Sequence, residues 1–205
     1  MLLLHINPPL ILASGSVARA QLLRQAGLAF EAIPAAIDED EVKLAARHEG
    51  LSVSETAENL AWLKAQAISR RYPDRLVIGG DQMMECDDIW YDKPGTMERA
   101  RQQLLALAGR EQRLYSAVMV VKNGHRLWSQ VAESRLTMLP LTAPEIDAYL
   151  HLAGDEICHS VGAVHYEGLG LQLFDRVHGD YFAILGLPLL PLLGYLRQYF
   201  GDLGD

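Results

Sequence analysis

Six short apolar runs separated by stretches of helical periodicity constrain the fold of this chain most. Leu10–Ala13, Phe30–Ile33, Leu76–Ile78, Leu114–Val121, Leu127–Ser134 and Leu171–Val177 read as strands, and the helical patterns fall at about 17–26, 53–71, 96–108, 142–152 and 188–199. Interleaving of this kind predicts an α/β fold with a central sheet flanked by helices. The runs on either side of Lys122 to His125 are joined through Asn123-Gly124, a hairpin signal, so the sheet must be mixed rather than purely parallel. Half of the 205 residues are apolar, enough for a good core, and no repeat, low-complexity tract or Ser/Gly-rich linker divides the chain. A single domain over residues 1–205, holding a cleft, is the expectation.

Charge narrows the partners. The formal net charge is -8, whereas a nucleic-acid polymer or an anionic membrane requires a broad basic face. An anionic ligand must therefore be held by local cations or by a metal. Cys86 and Cys158 are too few for a disulfide scaffold, which points to a reducing cytoplasm. The leading segment MLLLHINPPLILA lacks a basic n-region and carries Pro8 and Pro9 inside its apolar run, so it is expected to be a lead-in followed by a strand rather than a signal peptide. ILGLPLLPLLGYL is too short to span a bilayer and is interrupted by Pro188 and Pro191; a core strand turning into a helix is expected there. The acidic Ile37 to Glu41 stretch is the one dense charge run.

The candidate site starts at the joint of LILASGSVARAQLL. A strand entering a helix through Ser14, Gly15 and Ser16 leaves the first helical N–H groups free and turns the positive end of the helix dipole outward, a place that suits an anion. Either serine can equally serve as an ordinary N-cap with nothing bound. Arg19 shares a helical face with Leu22, Leu23 and Ala26, so a charge heads an apolar stripe. Lys64 lies in the middle of a second stripe, Ala57, Leu60, Ala61 and Ile68, on a helix that Ser52 and Glu55 can open as a capping box. Such a lysine can snorkel out, pair with a buried carboxylate, or serve a site. In RLVIGGDQMM an apolar strand is expected to end at Gly79-Gly80 and to deliver Asp81 at its carboxyl end, where open α/β sheets place ligands. Arg19, Lys64 and Asp81 together form the set needed for Mg²⁺-assisted chemistry on a polyphosphate, with Lys93 of YDKPG as a further cation or as a solvated turn residue. The P-loop, nucleophile-elbow and HExxH signatures are absent, and Cys158-His159 is an isolated pair.

The segments LASGSVAR, IDEDE, AWLKAQAI, VIGGDQ, DKP, ARQQLLALAGREQRLYSAV, SVGAVHYEGLGLQLFDRVHGDY and ILGLPLLPLL resemble, in order and spacing over nearly the whole chain, those of the Maf proteins, nucleoside triphosphate pyrophosphatases. The resemblance implies an elongated Maf/ITPase-like α/β fold with a cleft between two lobes. It also implies Mg²⁺- or Mn²⁺-dependent hydrolysis of a nucleoside triphosphate between the α and β phosphorus atoms, and a homodimer. By the same resemblance Asp81 is the proton acceptor, Ser14, Ser16, Arg19, Lys64 and Lys93 occupy phosphate-binding positions, and Glu39 joins Asp81 for catalysis or metal. Val17 and Ala18 depart from the family's Ser-x-Ser-Pro-Arg-Arg pattern and remove one cation; Gln112 and Ser116 replace a histidine and a threonine common there. The base-selecting positions are Ala18, Gln82 and Glu167, and the last two resemble the branch acting on 7-methylguanosine triphosphate. A carboxylate at Glu167 can accept from guanine N1–H and its amine and favours a cationic base, although as a loop acid it could equally be hydrated. A nucleotide-binding regulator of cell division with weak or no catalysis is the alternative, supported by the altered first motif.

Overall fold

The computed structural model describes residues 6–201; the start of the expected lead-in, residues 1–5, lies outside them. The sheet has seven strands, β1 (Leu10–Leu12), β2 (Phe30–Ala32), β3 (Val77–Cys86), β4 (Ile89–Tyr91), β5 (Glu111–Lys122), β6 (His125–Met138) and β7 (Phe174–His178), in the order β2-β1-β3-β5-β6-β7, with β4 also on β3. β1 is parallel to β2 and β3, and all later pairings are antiparallel. The helices are α1 (Val17–Gln25), α2 (Glu39–Glu49), α3 (Val53–Ser69), α4 (Met97–Leu107), α5 (Ala143–Ala153), α6 (Tyr181–Ile184) and α7 (Leu189–Gly201). The expected mixed α/β architecture is therefore present. Asn123 and Gly124 both take positive φ, 49° and 71°, as a twisted two-residue hairpin turn requires.

Alternation along β3 sends its side chains to opposite faces. Val77 packs with Leu60, Ala61, Ala65 and Ile68 of α3, whereas Ile78 joins the cluster built on Leu22, Leu23, Leu192 and Leu196 of α1 and α7. A third cluster surrounds Met84, Leu104, Leu136 and Ile146 and packs α4 and α5 at the other end of the sheet.

The strand before Asp81 departs from expectation in a way that builds the site. Gly79-Gly80 does not end β3; the strand runs on to Cys86, and Asp81 pairs opposite Ala117 in its middle. β1 leaves β3 after the Leu12–Ile78 pairing, β4 joins only at Met84, and β5 covers the opposite edge from Val77 to Glu85. The stretch 79–83 consequently has one edge without a neighbouring strand. This gap replaces the expected strand tip as the opening of the cleft.

Three further corrections concern local structure. The acidic run is the start of α2, capped by Asp38, whose side chain accepts from Glu41 N, and closed by left-handed Gly50. The helix buries only Ala46, so it lacked the apolar stripe that betrays a helix. The stretch from Ile184 to Leu196 holds the end of α6, a turn over Leu185 to Pro188 and most of α7 rather than a strand and a helix; Gly186 takes a positive φ of 102° in that turn, and Pro188 stands just before α7. The run from Leu171 begins as a 3-10 turn, Leu169–Leu173, before β7 starts at Phe174. No helix among the described residues is long and apolar enough to cross a membrane.

Candidate active site

Ser14 stands two residues beyond the end of β1, and Ser16 caps α1 by accepting from Arg19 N at 3.3 Å. Ser14 Oγ accepts from Ser16 N at 3.2 Å and from Arg19 Nη1 at 3.0 Å, while Arg19 Nε donates to the Gly186 carbonyl at 2.7 Å. The guanidinium is thus buried at the head of the α1 stripe and fixed between β1 and the α6–α7 turn. A Cβ on Gly80 would stand 3.1 Å from both Arg19 Cδ and Nε, so the missing side chain is what admits the arginine to this face of β3. Burial pulls the Arg19 pKa down, opposed by the charges of Asp81 and Glu39.

On the opposite face Gly79 does the corresponding work for α3. A Cβ there would lie 2.2 Å from the Ala61 carbonyl oxygen and 2.7 Å from Ala65 Cβ. The close approach brings Lys64 Nζ to 2.6 Å from Asp81 Oδ1 and 2.7 Å from Glu39 Oε1. Of the alternatives for Lys64, the buried carboxylate pair is realised, with Glu39 reaching in from the first turn of α2. Burial pushes the Asp81 pKa up against the opposing Lys64 and Arg19 charges. Partial burial also raises that of Glu39, yet Lys64, Lys43 and Lys93 outweigh it and leave the net shift downward.

A cleft of about 950 Å³ opens beside these groups and is lined by every residue singled out above: Ser14, Ser16, Ala18, Arg19, Glu39, Lys64, Asp81, Gln82, Lys93 and Glu167. Gln82 Nε2 faces Ser116 Oγ (2.9 Å) and the Ala183 and Ile184 carbonyls (3.2 and 3.0 Å). Carbonyls only accept, so this fixes the amide orientation and leaves Oε1 as the acceptor with no protein donor among the described residues. Ala18 is half-buried on the wall, and Lys93 and Glu167 are exposed at the rim. Beyond the charged end, Met84, Leu114, Leu136 and Phe174 give an apolar end, with Tyr166 inclined against Phe174 at 5.9 Å.

Sequence reasoning missed several lining residues. Lys43 stands one turn after Glu39 and pairs with Asp92; a Glu–Lys pair at i, i+4 was visible once α2 was known to be a helix. Tyr166 next to Glu167 had no distinguishing pattern.

The donor set fits a divalent metal that shares its coordination with a phosphate. Lys64 occupies one oxygen each of Asp81 and Glu39, leaving Asp81 Oδ2 and Glu39 Oε2, and no group of three or more ligating side chains occurs among the described residues. One or two carboxylates completed by substrate oxygens is the usual Mg²⁺ arrangement. Six carboxylates and four cations line the cleft, so a polyphosphate entering it needs cations of its own.

A mixed α/β sheet with a gap in its middle carries a buried Lys–Asp–Glu cluster on one side and an arginine hydrogen-bonded to serine on the other, groups that can meet a phosphate. Comparison with known proteins agrees: residues 9–199 match the family model described as Maf-like protein, and the chain belongs to that family. A protein of Granulibacter bethesdensis named nucleoside triphosphate pyrophosphatase is 52% identical over 93% of this chain and 96% of its own length. Proteins of the same name from Paramagnetospirillum magneticum and Rhodopseudomonas palustris strain BisB18 are 50% and 51% identical, covering 92% and 94% of this chain and 97% and 94% of their own. Among solved structures, a HAM1 protein from Coxiella burnetii aligns with a TM-score of 0.39 at 14% identity, over 65% of this chain and 74% of that one.

Proposed function

We propose that the cleft hydrolyses a nucleoside triphosphate between its α and β phosphorus atoms, releasing the nucleoside monophosphate and pyrophosphate. The observation that carries this reading is the Lys64 bridge between Asp81 and Glu39, set at the open edge of β3 opposite Arg19. Family membership and the names of the relatives support it.

In this mechanism Asp81 accepts the proton of the attacking water through Oδ2 while Lys64 holds Oδ1 and so fixes the carboxylate plane. A carboxyl whose pKa is raised by burial is a better proton acceptor than a solvated one. The water oxygen bonds to the α-phosphorus, the α–β bridging bond breaks, and pyrophosphate leaves with the bridging oxygen. Arg19, with Ser14 and Ser16 beside it, receives phosphate oxygens and neutralises charge that grows in the transition state. Glu39 Oε2 would hold a Mg²⁺ or Mn²⁺ ion, whose chemistry is Lewis-acid neutralisation of the phosphate oxygens.

For the base, the reading is a methylated guanine. Tyr166 and Glu167 are adjacent residues of the cleft lining, and an aromatic ring beside a carboxylate favours a cationic base over a neutral one. The test is a nucleotide panel with 7-methylguanosine triphosphate, GTP, UTP and dTTP, scored for pyrophosphate against orthophosphate. Pyrophosphate release with 7-methylguanosine triphosphate preferred supports the reading. Orthophosphate would exclude α–β cleavage, and tight binding without turnover would identify a nucleotide-binding regulator instead.

A further inference from the structure

The ion pair between Lys43 on α2 and Asp92, just before Lys93, has no part in the mechanism above. Lys43 and Glu39 are one helical turn apart, so both project from the same side of α2 into the cleft. Within the pair the lysine is the inner partner: its side chain is 16% exposed and that of Asp92 is 53%. The ammonium has three donors, and Asp92 Oδ1 is the acceptor it meets among the described residues. The other buried cations are more committed. Lys64 is held by two carboxylates, and Arg19 gives Nε and Nη1 to Gly186 and Ser14. Asp92 also ties Lys43 to the segment that presents Lys93, so two ammonium groups with spare donors share one rim of the cleft.

We propose that Lys43 is a binding residue for the pyrophosphate moiety of the substrate, exchanging its partner Asp92 for β and γ phosphate oxygens when the nucleotide enters; this rests on the pyrophosphatase reading above. A half-exposed carboxylate holds an ammonium weakly in water, whereas a polyphosphate offers more charge and several acceptor oxygens. Asp92 then acts as a placeholder that keeps the lysine head inside the cleft between turnovers. The same exchange leaves α2 anchored, because Glu39–Lys64 and the stacking of Arg47 over the Trp90 ring at 4.6 Å remain.

Titration calorimetry with magnesium pyrophosphate and, separately, with GMP tests the assignment on the full chain. Lys43→Met is expected to weaken pyrophosphate binding by about tenfold or more and to leave GMP affinity unchanged, with Lys43→Arg retaining most of the affinity. Asp92→Asn, which frees the ammonium, is expected to leave pyrophosphate affinity equal or higher. Unchanged pyrophosphate affinity in Lys43→Met overturns the proposal. So does parallel loss of pyrophosphate and GMP binding in both Lys43→Met and Asp92→Asn, the result of a merely structural strap between α2 and β4. Absence of pyrophosphate affinity in the unaltered protein overturns this proposal, whereas the pyrophosphatase reading stands or falls on pyrophosphate release in the nucleotide panel; retained affinity with an insensitive Lys43→Met likewise overturns this proposal alone.

Discussion

Gly79→Ala separates the role of close packing from that of chemistry, because the substitution adds one methyl group and no charge. Gly79 lies in β3 with ordinary backbone torsions, so no conformational penalty enters and the cost is purely steric. The new Cβ would sit 2.2 Å from the Ala61 carbonyl oxygen, against about 3.3 Å for a comfortable C···O contact, so α3 must retreat by roughly 1 Å. Overpacking of this size costs about 1–3 kcal/mol. For a chain of this length each kcal/mol lowers Tm by about 2–4 °C, giving a midpoint value near 6 °C for 2 kcal/mol. The functional effect should be larger than the stability effect. Lys64 lies between Ala61 and Ala65 on the displaced face, and its 2.6 Å contact with Asp81 lengthens by a similar amount; a misplacement of 1 Å at a reacting centre costs about 10²-fold in rate. Thermal unfolding followed by circular dichroism, beside kcat from a pyrophosphate-release assay, measures both. The control is Gly80→Ala, whose Cβ would meet the flexible Arg19 side chain at 3.1 Å, and which should raise KM more than it lowers Tm. A Gly79→Ala protein with unaltered Tm and a rate within twofold of the parent would refute the account of how Lys64 is placed.

Further outcomes follow from the charges in the cleft. Asp81→Asn should lower kcat by about 10²–10⁴-fold with far-ultraviolet circular dichroism unchanged, and a rate equal to the parent's would remove the proposed base. Because burial raises the Asp81 pKa, the acid limb of the kcat/KM profile should lie above the ordinary carboxylate range in the parent. The sign for stability is the reverse of the usual carboxylate case: the folded state holds the Asp81 proton more tightly, so this group favours folding at low pH and loses that contribution as pH rises through the window from its unfolded to its raised folded pKa. Glu39, with its net shift downward, contributes stability above its unfolded pKa that is lost as pH falls through the folded value, so Glu39→Gln should flatten acid unfolding measured by fluorescence. Glu167→Gln should reduce the kcat/KM ratio of 7-methylguanosine triphosphate to UTP by about tenfold; an unaltered ratio would free Glu167 of any part in base choice.

The chain's local chemistry carries much of this architecture in plain view. Apolar runs of period two and stripes of period 3.6 mark most of the strands and helices, and the Asn123-Gly124 turn and the Ser52–Glu55 capping box are realised as the residues dictate. Arg19 and Lys64 stood out because a charge on an apolar face must be answered by something nearby, and each is answered within hydrogen-bond distance. What periodicity could not reveal is where strands stop pairing. Asp81 sits in mid-strand and is still reachable because β1 last pairs with β3 three residues earlier and β4 joins three residues later, a consequence of the paths of segments distant in the chain. Gly79 and Gly80 likewise read as punctuation in the linear order, whereas packing makes each the point where an element on one face comes close enough to place a cation. The helix holding Glu39 and Lys43 buries only Ala46 fully, so ion pairs to other elements and the Arg47–Trp90 stacking add to the packing of Val42 in placing it. Local pattern thus determined which charges lie on inward faces; only the tertiary arrangement decided which of them meet, since Coulomb and hydrogen-bond partners are chosen by distance in space and not by separation along the chain.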